Sequence, residues 1–328
     1  MNYEDFASDL PLQQSVLFTS AEDCEETLRQ SGAEQHTRQL GKGPFRASLA
    51  IRSTAQADLF ADRYNTALSI CLEPPAGTIG LLFPRSANGK FLSCGEEVGN
   101  SSLIMLDGRS SLDIVTSALS GSEAIAIQEA RFIEMTETLF PNQKSVSFEQ
   151  PAVIRGDTAQ LCALRNSLIE LVAYPESEPY PEHLSNVITA TVTWLMESLC
   201  HWRPESITAT RKRVYIAKQA QEFIEEHYCE AVTTESLCLV TGASARSLQR
   251  CFREYFDLTI TDYLEMVRMD AAHRDLVSAH LSENSITRIT LRHGFKHLGR
   301  FSVAYRARFG ESPSKTLINS KGTKSRKT

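Results

Sequence analysis

No apolar run in these 328 residues approaches the roughly twenty needed for a helix to cross a bilayer, so no membrane association is expected. The opening stretch MNYEDFASDL is acidic and lacks the basic-then-apolar order of a secretory leader. Histidine is nearly missing from the front: residues 1–182 contain only His36, too few for the imidazole set of a metal-dependent enzyme. Cysteine is present but never paired as CxxC. Cys24, Cys71, Cys94, Cys162, Cys200, Cys229, Cys238 and Cys251 are scattered, which argues against a zinc ribbon or a thioredoxin-like centre and fits reduced thiols in a cytoplasmic protein. GxSxG, P-loop and GxGxxG patterns are also lacking. We therefore expect no catalytic residues, no metal and no cofactor.

Net positive charge is lacking too, and −6 overall would count against a nucleic-acid partner. Its distribution reverses that inference. From Ser206 onward 20 Lys+Arg face 13 Asp+Glu, whereas the preceding residues carry 14 against 27. An acidic front and a basic back assign an anionic partner to the back alone.

What is present begins with alternation. In Phe45–Ile51 the larger apolar residues fall on every second position, as on a half-buried strand, and Leu68, Ile70 and Leu72 repeat the pattern. Short apolar runs follow at Ile79–Phe83 and Leu103–Leu106, then Ile125 with Ile127 and Val146 with Phe148. Turn signals at Pro74-Pro75-Ala76-Gly77, Asn88-Gly89 and Asp107-Gly108 separate them, so residues from about 45 to 150 are expected to be β-rich, as a small sandwich or barrel. Arg46, Arg52 and Arg109 lie on or beside these strands and could clamp a carboxylate or phosphate, which makes an anionic small-molecule effector the expectation. Two helices are expected next, Asp157–Ala173 with Leu161, Leu164, Leu168 and Leu171 on one side, and Glu182–His201 beyond a break holding Pro175, Pro179 and Pro181.

The last third carries one pattern twice. Leu248, Phe252 and Phe256 recur fifty-three positions later as Phe301, Tyr305 and Phe309, each triple an i, i+4, i+8 stripe along a helix. Each stripe follows a short helical segment and a glycine, Gly242 or Gly294. That is the layout of a helix-turn-helix, in which the second helix is buried on one face and free on the other. Thr233 or Thr234 should cap the first short helix, which would bury Leu237 and Val240; Ser285 should cap its counterpart, with Ile286 and Ile289 inside. Ser244 is placed to cap the helix 245–257, whose free side shows Arg246, Gln249, Arg250 and Arg253 beside Ser247. Arginine donates two bonds at once to guanine edges or phosphates, and glutamine can pair with adenine. In the second copy Lys296, His297, Gly299 and Arg300 stand at the exposed front turn, and Val303 replaces Arg250, so this copy is expected to read bases more weakly. A connecting helix near 259–279 is striped by Ile260, Leu264, Val267 and Ala271; at 1.5 Å per residue it would be roughly 30 Å long, close to the ~34 Å between successive major grooves on one side of DNA.

The segment His293-Gly294-Phe295-Lys296-His297-Leu298-Gly299-Arg300-Phe301 through Phe309-Gly310-Glu311-Ser312-Pro313 resembles the second-unit signature of the AraC/XylS transcription regulators, and SARSLQRCF at 244–252 resembles their first recognition helix. The resemblance covers about 209–317. Departures are Thr290 in place of the usual alanine, Asp257 in place of glycine and Ile260 in place of proline. It implies sequence-specific binding to double-stranded promoter DNA and activation through RNA polymerase. By position, Arg246, Gln249 and Arg250 would read bases and Ser244 would contact phosphate, while Leu298, Gly299, Arg300 and Val303 would face DNA in the second unit. The front half resembles, more distantly, the effector-binding and dimerisation domains that precede such modules, chiefly at GPFRASLAIRS. That implies a ligand in a β-barrel and a homodimer through the helical pair.

The expected fold is therefore α+β. Residues 1–203 would form a β-rich, cupin-like barrel with a helical dimerisation segment; 204–210 would be a linker, 211–320 an all-α double helix-turn-helix domain, and 321–328 a basic disordered tail. The expected function is a ligand-responsive transcriptional activator. Two alternatives are a front half that only dimerises or binds a protein antagonist, and an enzyme fused to the module, as in DNA-repair alkyl transferases. The second is disfavoured because no cysteine stands in a Pro-Cys-His-Arg setting.

Overall fold

The computed structural model describes residues 1–8, 10, 15–87, 89–142, 151–174, 183–201, 208–278 and 286–324. Expectations about Asn88, Val146, Phe148, Pro175, Pro179, Pro181, Ser285 and residues 204–207 and 325–328 lie outside them. The chain divides into two compact units, one of 1–41 with 45–207, the other of 42–44 with 208–328.

The first unit holds α1 (Tyr3–Ala7), β1 (Val16–Phe18), α2 (Ala21–Gln30), β2 (Glu34–Gln39), β3 (Ala47–Ser53), β4 (Ala57–Tyr64), β5 (Leu68–Glu73), β6 (Thr78–Ser86), β7 (Phe91–Ser93), β8 (Glu96–Glu97), β9 (Ser102–Asp107), β10 (Leu112–Thr116), β11 (Ser120–Gln128), α3 (Glu129–Leu139), β12 (Ala152–Arg155), α4 (Thr158–Val172) and α5 (His183–His201). The strands form two antiparallel sheets, ordered β1-β3-β4-β11-β6-β9-β12 and β2-β5-β10-β7-β8. Both orders are linear. Among the described residues neither sheet closes on itself, so an open sandwich stands where a closed barrel was expected.

Alternation along the strands sorts side chains between two cores. On β4, Leu59 and Ala61 face one way, into a core shared with Leu161, Leu168 and Leu171 of α4 and Leu184, Ile188, Val192 and Leu195 of α5. Phe60 and Tyr64 face the other way, into an inter-sheet core with Leu68, Ile70, Phe91, Leu112 and Ile114. The large sheet is therefore covered on both faces, and β9 is buried along its whole length. Asp157 caps α4 by accepting from the Gln160 N–H at 2.9 Å, and the leucine stripe expected there is spent on the sheet. On the same face as Leu59, Arg63 is fully buried and ion-paired with the equally buried Glu123, with Arg85 3.6 Å and Arg165 of α4 4.0 Å from that carboxylate. Residues 129–139, expected within the β-rich stretch, are instead α3, which buries Phe132 and Thr136 one turn apart.

The second unit is all-helical: α6 (Thr208–His227), α7 (Thr234–Thr241), α8 (Ala245–Phe256), α9 (Ile260–Ser278), α10 (Ile286–Arg292), α11 (Leu298–Phe309) and α12 (Pro313–Lys324). Two boundaries differ from expectation. α6 starts inside the expected linker, and α12 continues through the first residues of the expected tail.

Candidate nucleic-acid interface

Local chemistry sets each recognition helix. Thr233 and Ser236 form a reciprocal capping box at the start of α7. Gly242 ends α7 at φ 63°, a left-handed conformation that glycine enters without steric cost. The expected burial on α7 needs one correction: Val240 is exposed, Leu239 is 85% exposed, and the helix buries Leu237 and Thr241, four residues apart, instead. Ser244 then caps α8, accepting from the Ser247 N–H at 3.3 Å. Asp257, where the family has glycine, closes α8 in the same left-handed conformation, with φ 57°.

α8 buries Leu248, Cys251, Phe252, Tyr255 and Phe256. Phe252 and Phe256 each lie 5.3 Å from the Tyr263 ring of α9, and the Tyr263 hydroxyl donates to Glu225 of α6. Burial raises the Cys251 thiol, which keeps it protonated and unreactive. Arg246, Gln249, Arg250 and Arg253 project from the opposite, exposed side. At 100° per residue these four fall within about one third of the helix circumference. Arg250 is 64% exposed and lies 3.9 Å from Glu254, a carboxylate that also pairs with Arg213 at 3.3 Å.

α11 is built differently. Phe301 and Tyr305 are buried with Met269, Ala272 and Leu276 of α9 and Ile289 of α10. The Tyr305 hydroxyl lies 2.6 Å from His273 Nδ1 and donates to Thr316 at 2.9 Å. Arg308 points inward and grips Asp270 of α9 with two bonds of 2.6 and 2.9 Å. Thr290, the departure from alanine, is fully buried and returns its hydroxyl to the Ile286 carbonyl at 2.7 Å, so its polarity is satisfied inside α10. His293 is buried and bonds Asp275 at 2.8 Å. Lys296, His297, Leu298, Gly299 and Arg300 are exposed. His297 occupies the N-cap position of α11 without a side-chain capping bond.

α9 serves both halves. Its early Tyr263 meets α8, whereas its later Met269, Ala272 and Leu276 meet α10 and α11, so the buried side turns along the helix. A single four-residue stripe could not describe it: Ile260 and Leu264 are only half-buried, and Tyr263 and Met266 are buried instead.

One exposed basic residue in the repeat register escaped sequence reasoning. Arg306 lies fifty-three positions after Arg253, is exposed, and shares a face with Val303, which is 74% exposed. The repeat register contained that signal: followed on the exposed face from Arg250 to Val303, it also leads from Arg253 to Arg306.

The three arginines expected to clamp an effector are dispersed. Arg46 is exposed and pairs with Glu4 at 2.6 Å. Arg52 is buried and donates to the Tyr174 carbonyl beyond α4. Arg109 sits in the β9–β10 turn, bonded to Asp107 at 2.9 Å. None lines the cleft between the two sheets. That cleft, partly open to solvent, has a cavity volume of about 80 Å³ among Leu28, Leu49, Tyr64, Ile70, Leu82 and Phe91.

Two successive helix-turn-helix units with basic, exposed recognition faces define a DNA-binding domain. A family described as "Helix-turn-helix domain" matches residues 237–318. Among known proteins, the chain is similar to a probable thc operon regulatory protein of Rhodococcus erythropolis, 35% identical over 102 residues, covering 31% of each protein. It is also similar to XylDLEGF operon transcriptional activator 2 of Pseudomonas putida, 35% identical over 96 residues, covering 29% of this chain and 61% of that one. Among solved structures, a probable AraC family transcriptional regulator from Rhodopseudomonas palustris is 32% identical, with 32% of this chain and 96% of that one covered and a TM-score of 0.31. These similarities support an AraC/XylS-type DNA-binding domain in the C-terminal unit. The match spans from under a third to about three fifths of those two curated relatives' lengths.

Proposed function

We propose that this chain is a sequence-specific transcription regulator, a ligand-responsive activator that reads two successive major grooves with α8 and α11. The observation that carries it is the exposed set Arg246, Gln249, Arg250 and Arg253 on a helix held from behind by Phe252, Phe256 and Tyr263. In this reading Arg246, Gln249 and Arg250 meet base edges, while Ser244, Ser247 and Arg253 hold the backbone. Lys296 and His297 take phosphates, Gly299 lets α11 approach closely, and Arg300 and Arg306 supply its polar contacts. α9, with 19 residues, is about 28 Å long and bridges most of the ~34 Å between grooves. Activation through RNA polymerase and a cytoplasmic location go with this reading; the names of relatives as operon activators support activation.

The inter-sheet cleft is the effector site in this reading, since it is apolar, concave and has a few converging polar groups. α4 and α5 bury their apolar residues within their own unit, so a homodimer formed through them would use their polar outer faces. Selection from a random DNA pool with the full-length chain tests the function. The expected product is a two-part site with halves about one helical turn apart; a pool that stays random sinks the proposal.

A further inference from the structure

The inter-sheet cleft carries a charge pattern opposite to an anion site. No lysine, arginine or histidine lines it among the described residues, and its one carboxylate is Asp62. Strand alternation decides this: Asp62 and Tyr64 of β4 face the cleft, while Arg63 between them turns to the helix-covered face and its partner Glu123. Ser122, directly opposite on β11, donates to Asp62 Oδ1. The Ser122 backbone N–H also faces this carboxylate, and no side-chain donor of the described residues is shown on Asp62 Oδ2. Asp62 keeps part of its surface, and it lines the cleft; the protein around it still pushes its carboxyl up to about 7, because burial disfavours the charge. The floor beside it consists of Gly80, Ala124 and Ala126, small residues on adjacent strands that leave space between sheets normally ~10 Å apart.

We propose that the cleft receives an amphipathic amine, with its ammonium head on Asp62 Oδ2 and an aryl or alkyl body over Gly80, Ala124 and Ala126. This rests on reading the cleft as the effector site and adds the chemical class of the effector. An ammonium supplies side-chain-like donors that Oδ2 lacks and restores the charged form that burial disfavours. A carboxylate in the same place meets a like charge with no lining cation to offset it. A hydroxyl supplies one neutral donor and binds less tightly.

Isothermal titration of the full-length chain with phenethylamine, phenethyl alcohol and hydrocinnamate, three probes on one frame, tests this. The amine should bind tightest, by about tenfold over the alcohol, with the carboxylate weakest. Asp62→Asn should erase the gap between amine and alcohol while leaving the melting curve cooperative. Ala124→Leu, which fills the floor, should weaken all three. Tightest binding by hydrocinnamate, or an amine preference that survives Asp62→Asn, overturns the assignment. Binding by none of the three withdraws the cleft as effector site altogether and leaves the DNA-binding result untouched.

Discussion

Replacing Arg250 by alanine removes one guanidinium from the centre of the exposed basic face of α8 and little else. The side chain is 64% exposed, and its contact in the fold is a 3.9 Å approach to Glu254, an exposed i,i+4 pair of the kind that contributes about 0.3–0.5 kcal/mol. Glu254 keeps Arg213 at 3.3 Å when Arg250 is gone. Alanine also has a higher helix propensity than arginine, which offsets part of the small loss. The melting temperature should therefore move by no more than a degree or two. Binding should change far more, because a bidentate arginine–guanine contact discriminates by about 1–3 kcal/mol, or roughly five- to 150-fold. Fluorescence anisotropy on a selected DNA site and on a scrambled duplex separates the two effects. Affinity for the selected site should fall about ten- to a hundredfold, affinity for the scrambled duplex should fall only a few-fold, and one base position should lose its preference. Equal losses on both duplexes would refute base reading and make Arg250 a phosphate contact. Unchanged binding would remove it from the interface.

Four further expectations follow from the geometry. Val303, 74% exposed on the α11 reading face, should contact a thymine methyl; uracil in place of that thymine should weaken binding up to about fourfold in anisotropy, and no loss at any thymine contradicts the contact. Asp257 holds φ 57° at the end of α8, so Asp257→Gly should stabilise the chain by about 0.5–1 kcal/mol in urea titrations, and a loss of stability contradicts strain there. Arg308→Met leaves Asp270 without its two bonds; because Asp270 keeps 23% of its side-chain surface in solvent, the cost should be about 2 kcal/mol, below the 3–5 of a fully buried pair, as read by urea titration, and a cost under about 0.5 contradicts the clamp. Asp62 has its carboxyl raised to about 7, so the folded state holds this proton more tightly than the unfolded chain does. Its contribution is greatest below about pH 4 and is lost as pH rises through about 7, and Asp62→Asn should flatten the fall in stability across that window; Arg63, Glu123, Tyr64 and Cys24 lie around it and are unchanged in that variant.

The helix-turn-helix elements were legible because their determinants lie within a few residues of each other. Ser244 and Ser247, Thr233 and Ser236, and Gly242 with the turn that follows are contacts at separations of three or less. The i, i+4, i+8 stripes of α8 and α11 needed only about two turns of periodicity to identify a buried face, although Phe309 at the end of the second is half-buried. α9 was misread in detail because it changes neighbours halfway, so no single stripe runs its length. Val240 was misplaced because an eight-residue helix has room for one buried pair, and Leu237 with Thr241 took it.

The front half was legible as strands but not as an architecture. Its pairings join distant segments, such as β1 with β3 and β9 with β12, and nothing local specifies them. Double-sided burial of the large sheet turned expected alternation into nearly continuous burial, as on β9. α3 was missed although it follows β11 directly, because no turn signal separates the two and only Phe132 and the polar Thr136 are buried along it.

The sequence by itself determined two recognition helices, their repeat, and the cap and basic face of the first, since each depends on short-range periodicity and hydrogen bonding. Only the tertiary structure decided which charges meet. It sent Arg63 to Glu123 and Asp62 to the cleft from adjacent positions on one strand, dispersed Arg46, Arg52 and Arg109, and opened a space between two sheets over Gly80, Ala124 and Ala126. The physical reason is that a strand alternates its side chains between faces, while which face becomes a helix-packed core and which a cleft depends on strands paired from far along the chain.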